Sequence, residues 1–228
     1  MSLGLRSDQA GLQLFGHVFS SYTMKALIAL YENDTPFAFR PLHPHHPENG
    51  AELARRWPIA KFPMLVDGET TVFETSAIIE HLAAFHPGPA PLLPTDAKAA
   101  APVRLWDRVF DSHVMTPMQT LVSDARRAPA DRDPWGVAEA HKALETVYDW
   151  LDGALKGRSW AVGETFTLAD AAAAPALLYA DWAHPIGEDR ATLKAYRARL
   201  LARASVCRCV DDARPFRPFF PLGAPERD

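Results

Sequence analysis

Apolar residues follow two rhythms along this chain, and the change falls near residue 90. Short runs come first. LQLFG, Leu12 to Gly16, has the length and character of a strand. SSYTMKALIALYEND follows, with Ala26, Leu27, Leu30 and Tyr31 at helical spacing and Ser20 or Ser21 placed to cap the helix start. PFAFRPL reads as a second strand cut short by Pro41, and HPHHPENG as a loop by its Pro, Asn and Gly content. AELARRW is at most a short helix, stopped by Pro58. PMLV, the Asp67-Gly68 turn signal and TTVF predict a β-hairpin, and TSAIIEHLAAFH a helix ended by Pro87. The order βαβ, then ββα, predicts a small α/β domain over residues 11–87, its first strand pair parallel and its last antiparallel.

The second rhythm is helical throughout. PGPAPLLPTD is a Pro-rich boundary, with residues 88–95 as the linker. Beyond it, AAAPVRLWDRVFDSHVMTPMQTLVSDA carries one long helical pattern. DPWGVAEAHKALETVYDWLDGAL carries another, with Leu144, Val147, Tyr148 and Leu151 on one face. TLADAAAAPALLYADWAH opens with Thr167 and Asp170 at capping-box spacing, Asp standing for the usual Glu or Gln. ATLKAYRARLLAR is a further helix. Residues 96–228 therefore read as an all-helical domain, and no internal repeat is present.

Composition narrows the function classes. With 48% hydrophobic residues in 228, the chain can bury a sizeable core. The net charge of -4, without a basic stripe interleaved with aromatics, argues against a nucleic-acid partner. No apolar run reaches the roughly 18 residues of a membrane span, so no membrane partner is expected. The opening MSLGLRSDQAG lacks an apolar h-region, so a secretory leader is not expected and a cytoplasmic location is. Cys207 and Cys209 stand too close for an easy mutual disulfide, and no second pair completes a zinc set. Two reduced thiols are expected, with a redox C-x-C the alternative. In HPHHP the prolines interrupt, and no carboxylate cluster accompanies the histidines. A solvated loop is expected there, and no metal.

Three places suggest chemistry. Pro63 opens a strand, where its missing N–H does no harm. An ordinary trans bond explains it; a cis Phe62–Pro63 bond would instead turn the N–H and C=O of Phe62 outward to an extended peptide-like ligand. Glu74 and Thr75 stand where a strand feeds a helix. A helix N-terminus attracts a carboxylate and a fixed carboxylate attracts an ammonium, so the pair suits an amino-acid head group. The same residues also serve a plain helix start. Ser20 occupies the other strand-to-helix turn, where its hydroxyl can cap the helix or donate to a ligand's thiolate. A free thiol of pKa about 8.5 is only a few per cent ionised at pH 7 without such help.

Taken in order, SSYTMK after a strand, KFP, ETSAII, the linker with PLLPTD, and FTLAD within a helical half resemble the cytosolic glutathione transferases. The resemblance covers nearly the whole chain and points to a serine-type bacterial member, as in the zeta class. It implies a thioredoxin-like N-terminal domain, a helical C-terminal domain, a homodimer, and glutathione as co-substrate. Ser20 would hydrogen-bond the glutathione sulfur. Phe62, before what the family makes a cis-proline, would pair with the cysteinyl unit. Glu74 and Thr75 would hold the γ-glutamyl head, and Lys61 would help hold the tripeptide. Phe19, Phe110, Val114 and Met118 are the candidates for the electrophile pocket, although their spacing also suits plain core. His46, Asn49, Arg55 and Arg56 are alternatives for the glycyl carboxylate. WPIA stands where the family has Asn-Pro-x-Gly, so the loop before Pro63 departs from the pattern. No cysteine lies near Ser20, which argues against disulfide exchange. The implied activity is conjugation of glutathione to a small hydrophobic electrophile. The alternatives are a zeta-type isomerase and a non-catalytic binding or scaffold protein.

Overall fold

A computed structural model describes residues 11–228, and the opening MSLGLRSDQA, read above for its lack of a leader, lies outside them. The chain forms two compact units, one ending at Leu93 and one spanning Pro94–Asp228.

The first unit is built on a four-stranded mixed sheet in the order β2-β1-β3-β4. Its strands are β1 (Leu12–Gly16), β2 (Ala38–Pro41), β3 (Met64–Asp67) and β4 (Thr70–Val72). Its helices are α1 (Ser21–Glu32), α2 (Pro47–Arg56) and α3 (Thr75–Phe85). β1 runs parallel to β2 and antiparallel to β3, with Phe15 opposite Met64. Both central strands are apolar almost throughout, as sheets covered on two faces require. Phe15, Met64 and Val66 turn to one face and form a cluster with Leu53 of α2, against which Leu42, Trp57 and Phe73 pack. Leu14 and Leu65, one pleat away, point to the opposite face and are fully buried. Pro41 closes the edge strand β2, where a missing donor is tolerated. The hairpin turns at Gly68, whose φ of 57° suits glycine.

One expectation fails here. Residues 47–50, read as loop, are the first turn of α2. Pro47 takes an N-terminal position, where a helix needs no N–H from it. Asn49 is buried and donates to the Pro41 carbonyl at 2.9 Å, which ties the helix to β2. What looked like turn composition is a helix start.

The second unit holds α4 (Ala97–Val109), α5 (Thr116–Ala125), α6 (Pro134–Ala154), α7 (Leu168–Ala183), α8 (Ala191–Leu201) and α9 (Ala204–Ala213). Asp96 caps α4 and Asp133 caps α6, each accepting from the backbone at 2.9 Å. Between α4 and α5 the helix continues without a break through a π-helical turn, Phe110–Met115. Pro117 accounts for it: the ring clashes with the carbonyl four residues back. The wide turn lets the Thr116 N–H reach Asp111 O instead.

Buried on every side, α7 is built largely of alanine, which is the composition of a central helix that neighbours approach closely. Its capping box forms as the spacing predicts, and Asp170 does more than cap. One carboxylate oxygen accepts from Thr167 N at 2.9 Å, and the other from Ala161 N at 2.8 Å and Tyr196 Oη at 2.6 Å. Burial pushes the Asp170 pKa up against these bonds. In the aromatic stretch RPFRPFFPLG near the end of the sequence, the Phe220 ring lies 6.0 Å from the Tyr179 ring and 5.4 Å from that of Trp182. Cys207 is exposed and Cys209 buried, and they form no bridge. Among the described residues, no helix is long and apolar enough to cross a membrane.

Candidate functional site

The sheet register brings the candidate residues of the first unit together. Because β1 and β3 are antiparallel with Phe15 opposite Met64, the turn that leaves β1 and the turn that enters β3 share one end of the sheet. Ser20 lies in the first turn and Phe62–Pro63 in the second. Thr75 is joined to the same end, since its hydroxyl donates to the Tyr22 carbonyl at 3.4 Å.

Ser20 is the N-cap of α1, with extended φ and ψ, and its Oγ accepts from Thr23 N at 3.3 Å. Accepting leaves the hydroxyl proton available to donate outward. The turn before it is braced. Thr23 packs under Gly16 so closely that a Cβ there would stand 2.6 Å from the Thr23 side chain. His17 Nδ1 accepts from Phe19 N at 3.2 Å. Burial first, and then His43, hold the His17 imidazole below its usual pKa, which favours that neutral acceptor.

The Phe62–Pro63 bond is cis. Phe62 is 38% exposed, and among the described residues its backbone makes no hydrogen bond. Lys61 is exposed beside it. Two features shape the WPIA loop. Ala60 adopts φ 54°, a glycine-like conformation in an alanine. Trp57 stacks on Phe73 with ring centroids 4.1 Å apart and joins the apolar cluster.

Glu74 is the N-cap residue of α3 at φ 64°, a conformation sparsely populated outside glycine, and its side chain makes no capping bond. The exposed carboxylate therefore stands at the positive, N-terminal end of α3. The Thr75 hydroxyl is committed to Tyr22, so the backbone N–H of Thr75 is the donor left for a ligand. A buried partner went unnoticed in the sequence. Lys25 is fully enclosed, and its Nζ donates to Ser76 Oγ at 3.0 Å, tying α1 to α3 directly behind this end. A lysine within the otherwise apolar run Met24–Leu30 was the available signal.

Other candidates fall outside the cluster. Arg55 and Arg56 both bond Glu52, which holds that carboxyl down to about 2, and Arg56 also reaches Thr71. Asn49 is committed to Pro41, and His46 contacts Glu48 at 3.2 Å. The electrophile-pocket expectation needs correcting. Phe110 and Val114 are 0% exposed and Met118 1%, all inside the core of the helical unit, so they present no surface to a ligand. Their helical spacing marked the buried face. The open apolar surface of that helix is a groove of about 600 Å³ lined by Val109, His113, Pro117, Val147 and Trp150. Phe19 is half-buried in the first unit.

Residues 10–84 match the family model of the glutathione S-transferase N-terminal domain, and residues 110–204 that of the C-terminal domain. A glutathione S-transferase-like protein, LUC7, from a Fusarium species is 32% identical over 167 residues, covering 72% of this chain and 73% of its own. The chain belongs to the glutathione S-transferase family. A glutathione S-transferase of Hyoscyamus muticus is 27% identical over 88% of this chain and 98% of its own. A glutathione S-transferase of Methylobacterium radiotolerans, solved in complex with glutathione sulfonate, is 28% identical with a TM-score of 0.74, over 87% of this chain and 94% of that one. The family fold, a thioredoxin-like domain followed by a helical one, is the fold described above.

Proposed function

We propose that this transferase is of serine type and binds glutathione at the sheet end that carries Ser20, Phe62–Pro63 and Glu74–Thr75, with Lys61 at its margin. One observation carries the reading: three polar features from distant parts of the sequence meet at one end of one sheet, and each leaves a group unused by the fold. Phe62 offers its backbone to the cysteinyl unit. The Glu74 carboxylate takes the γ-glutamyl ammonium, and the α3 N-terminus takes its carboxylate. Ser20 donates to the sulfur at the start of α1, where the helix dipole also favours the anion. Lowering the thiol pKa from about 8.5 to about 6.5 would raise the thiolate fraction at pH 7 from about 3% to about 75%. The thiolate then attacks a soft electrophilic carbon, a carbon–sulfur bond forms, and a leaving group departs with its electron pair. In addition to an activated double bond, the carbanion takes a proton from solvent instead.

The Fusarium and Hyoscyamus relatives, both named for glutathione transfer, support this reading. We also propose a homodimer working in the cytoplasm; in the second unit, exposed Leu105 and Trp135 provide apolar surface for such an interface. The test is a titration with glutathione followed in the ultraviolet, then addition of an activated aryl halide. Binding, a thiolate band at neutral pH and halide release are expected. No binding at millimolar glutathione would overturn the assignment. Binding without band or turnover would leave a binding protein, and turnover without loss of glutathione an isomerase. Light scattering at the mass of one chain would refute the dimer.

A further inference from the structure

Away from this sheet end, the described residues hold a cluster of two histidines and a carboxylate: Asp67, His81 and His86. Asp67 ends β3, His81 lies in the second half of α3, and His86 is the residue at which α3 stops. On a regular helix, side chains five residues apart point about 140° away from each other. His86 has left helical geometry, at φ -133° and ψ 53°, and its ring returns to within 6.1 Å of the His81 ring. Both imidazoles then aim the same nitrogen at one oxygen. Asp67 Oδ2 lies 2.8 Å from His81 Nε2 and 2.7 Å from His86 Nε2, and the ligand atoms all lie within 4.8 Å of one another.

We propose that these three residues bind one zinc ion, through Nε2 of each histidine and a carboxylate oxygen of Asp67, with water as the fourth ligand. Ligands placed tetrahedrally at about 2.0–2.1 Å from zinc stand about 3.3 Å apart, so each Asp67–histidine contact opens by about half an ångström while the two Nε2 atoms, within 4.8 Å of each other, close toward the same separation. Two imidazoles and one carboxylate favour zinc over magnesium or calcium, which prefer all-oxygen sets. The three side chains are 12%, 23% and 32% exposed, enclosed enough to hold their geometry and open enough to admit an ion and a water. Two chain separations of 14 and 19 residues hid the set from any local motif, which is why the sequence suggested no metal. Bound there, the ion joins the end of β3 to the end of α3 opposite Thr75, roughly 16 Å along the helix. It would brace α3 without touching the proposed glutathione site.

A pure hydrogen-bonded clamp uses the same contacts, and a titration separates the two. The full chain, stripped with a chelator and free of glutathione, is titrated with zinc chloride by calorimetry and with cobalt(II) by absorption. One equivalent at micromolar affinity or tighter, a tetrahedral cobalt spectrum and a zinc-dependent rise in melting temperature are expected. His81→Gln and His86→Gln should each weaken zinc at least tenfold. A variant with His43, His45 and His46 all changed to Gln should bind as before. Should His81→Gln fail to fold, the more exposed His86→Gln carries the test alone. Absence of heat at about 100 μM zinc refutes the site. So does zinc binding that survives His86→Gln and disappears in the variant of the exposed loop.

Discussion

Ser20 holds two positions at once, and two substitutions separate them. Its Oγ accepts from Thr23 N at 3.3 Å, so it caps α1. Its proton is the proposed donor to the glutathione sulfur. Replacing an N-cap serine with alanine costs about 1 kcal/mol, and with glycine only a few tenths. The long capping bond places the alanine cost at or below that figure. In a chain of this size about 1 kcal/mol lowers the melting temperature by roughly 2–4 °C. A hydrogen bond to a charged acceptor contributes about 1.5–3 kcal/mol, equivalent to about 1–2 units in the thiol pKa. Ser20→Ala and Ser20→Gly should therefore raise the bound thiol pKa equally and lower conjugation about 5- to 50-fold near pH 6.5. The deficit should shrink above pH 9, where the thiol ionises unaided. Only Ser20→Ala should lose stability measurably, by at most roughly 2–4 °C, and Ser20→Thr should preserve both roles. The assay is the pH profile of conjugation beside a melting curve. If Ser20→Gly left the pH profile unmoved, Ser20 would be a cap and nothing more.

Four further outcomes follow from particular contacts. Ala60→Gly relieves the cost of φ 54°, about 1–2 kcal/mol for a residue with a Cβ, against the greater chain entropy of glycine; a net gain of roughly 1 kcal/mol in denaturant melts is expected. Asp170→Ala leaves Ala161 N, Thr167 N and the Tyr196 hydroxyl without their acceptor, and should cost about 3–5 kcal/mol in the same assay. Glu74→Gln should weaken glutathione about tenfold by calorimetry and leave the melting temperature within a degree or so, since the exposed carboxylate makes no bond within the fold. Burial first, and then His184, whose Nδ1 lies 3.0 Å from that of His141, hold the His141 pKa below its ordinary value of 6.5. The unfolded chain takes that proton first, so His141 stabilises the fold above about pH 6.5, and this contribution is lost as pH falls through the depressed folded value. His141→Gln should flatten melting temperature against pH across that window.

What the sequence made legible was whatever depends on local spacing. β1, the Asp67-Gly68 hairpin, the Ser20 cap and the capping box at Thr167 each involve residues a few positions apart, and each formed where the pattern placed it. The start of α2 was missed because proline and asparagine carry the same local signal in a loop and in a first helical turn. The glycine-like backbone at Ala60 and Glu74 was hidden because neither residue type announces it. Lys25 and the Asp67, His81, His86 cluster depend on contacts between remote segments. Phe110, Val114 and Met118 show the limit in the other direction: helical spacing reports that a face is apolar, and only tertiary packing decides whether it is core or pocket.

The π-helical turn at Phe110–Met115 has a consequence for how this chain can change length. Removing one residue from a regular helix rotates everything downstream by about 100°, which here would swing Met118 and Leu121 out of the core. A π turn already accommodates one residue more than regular winding holds. Deleting a single residue within it, with Pro117 also replaced so that its ring no longer requires the wide turn, closes the turn and leaves α5 in phase with α4. Along the continuous run from Ala97 to Ala125, this one turn is where descent by single-residue insertion and deletion could proceed without unmaking the bundle.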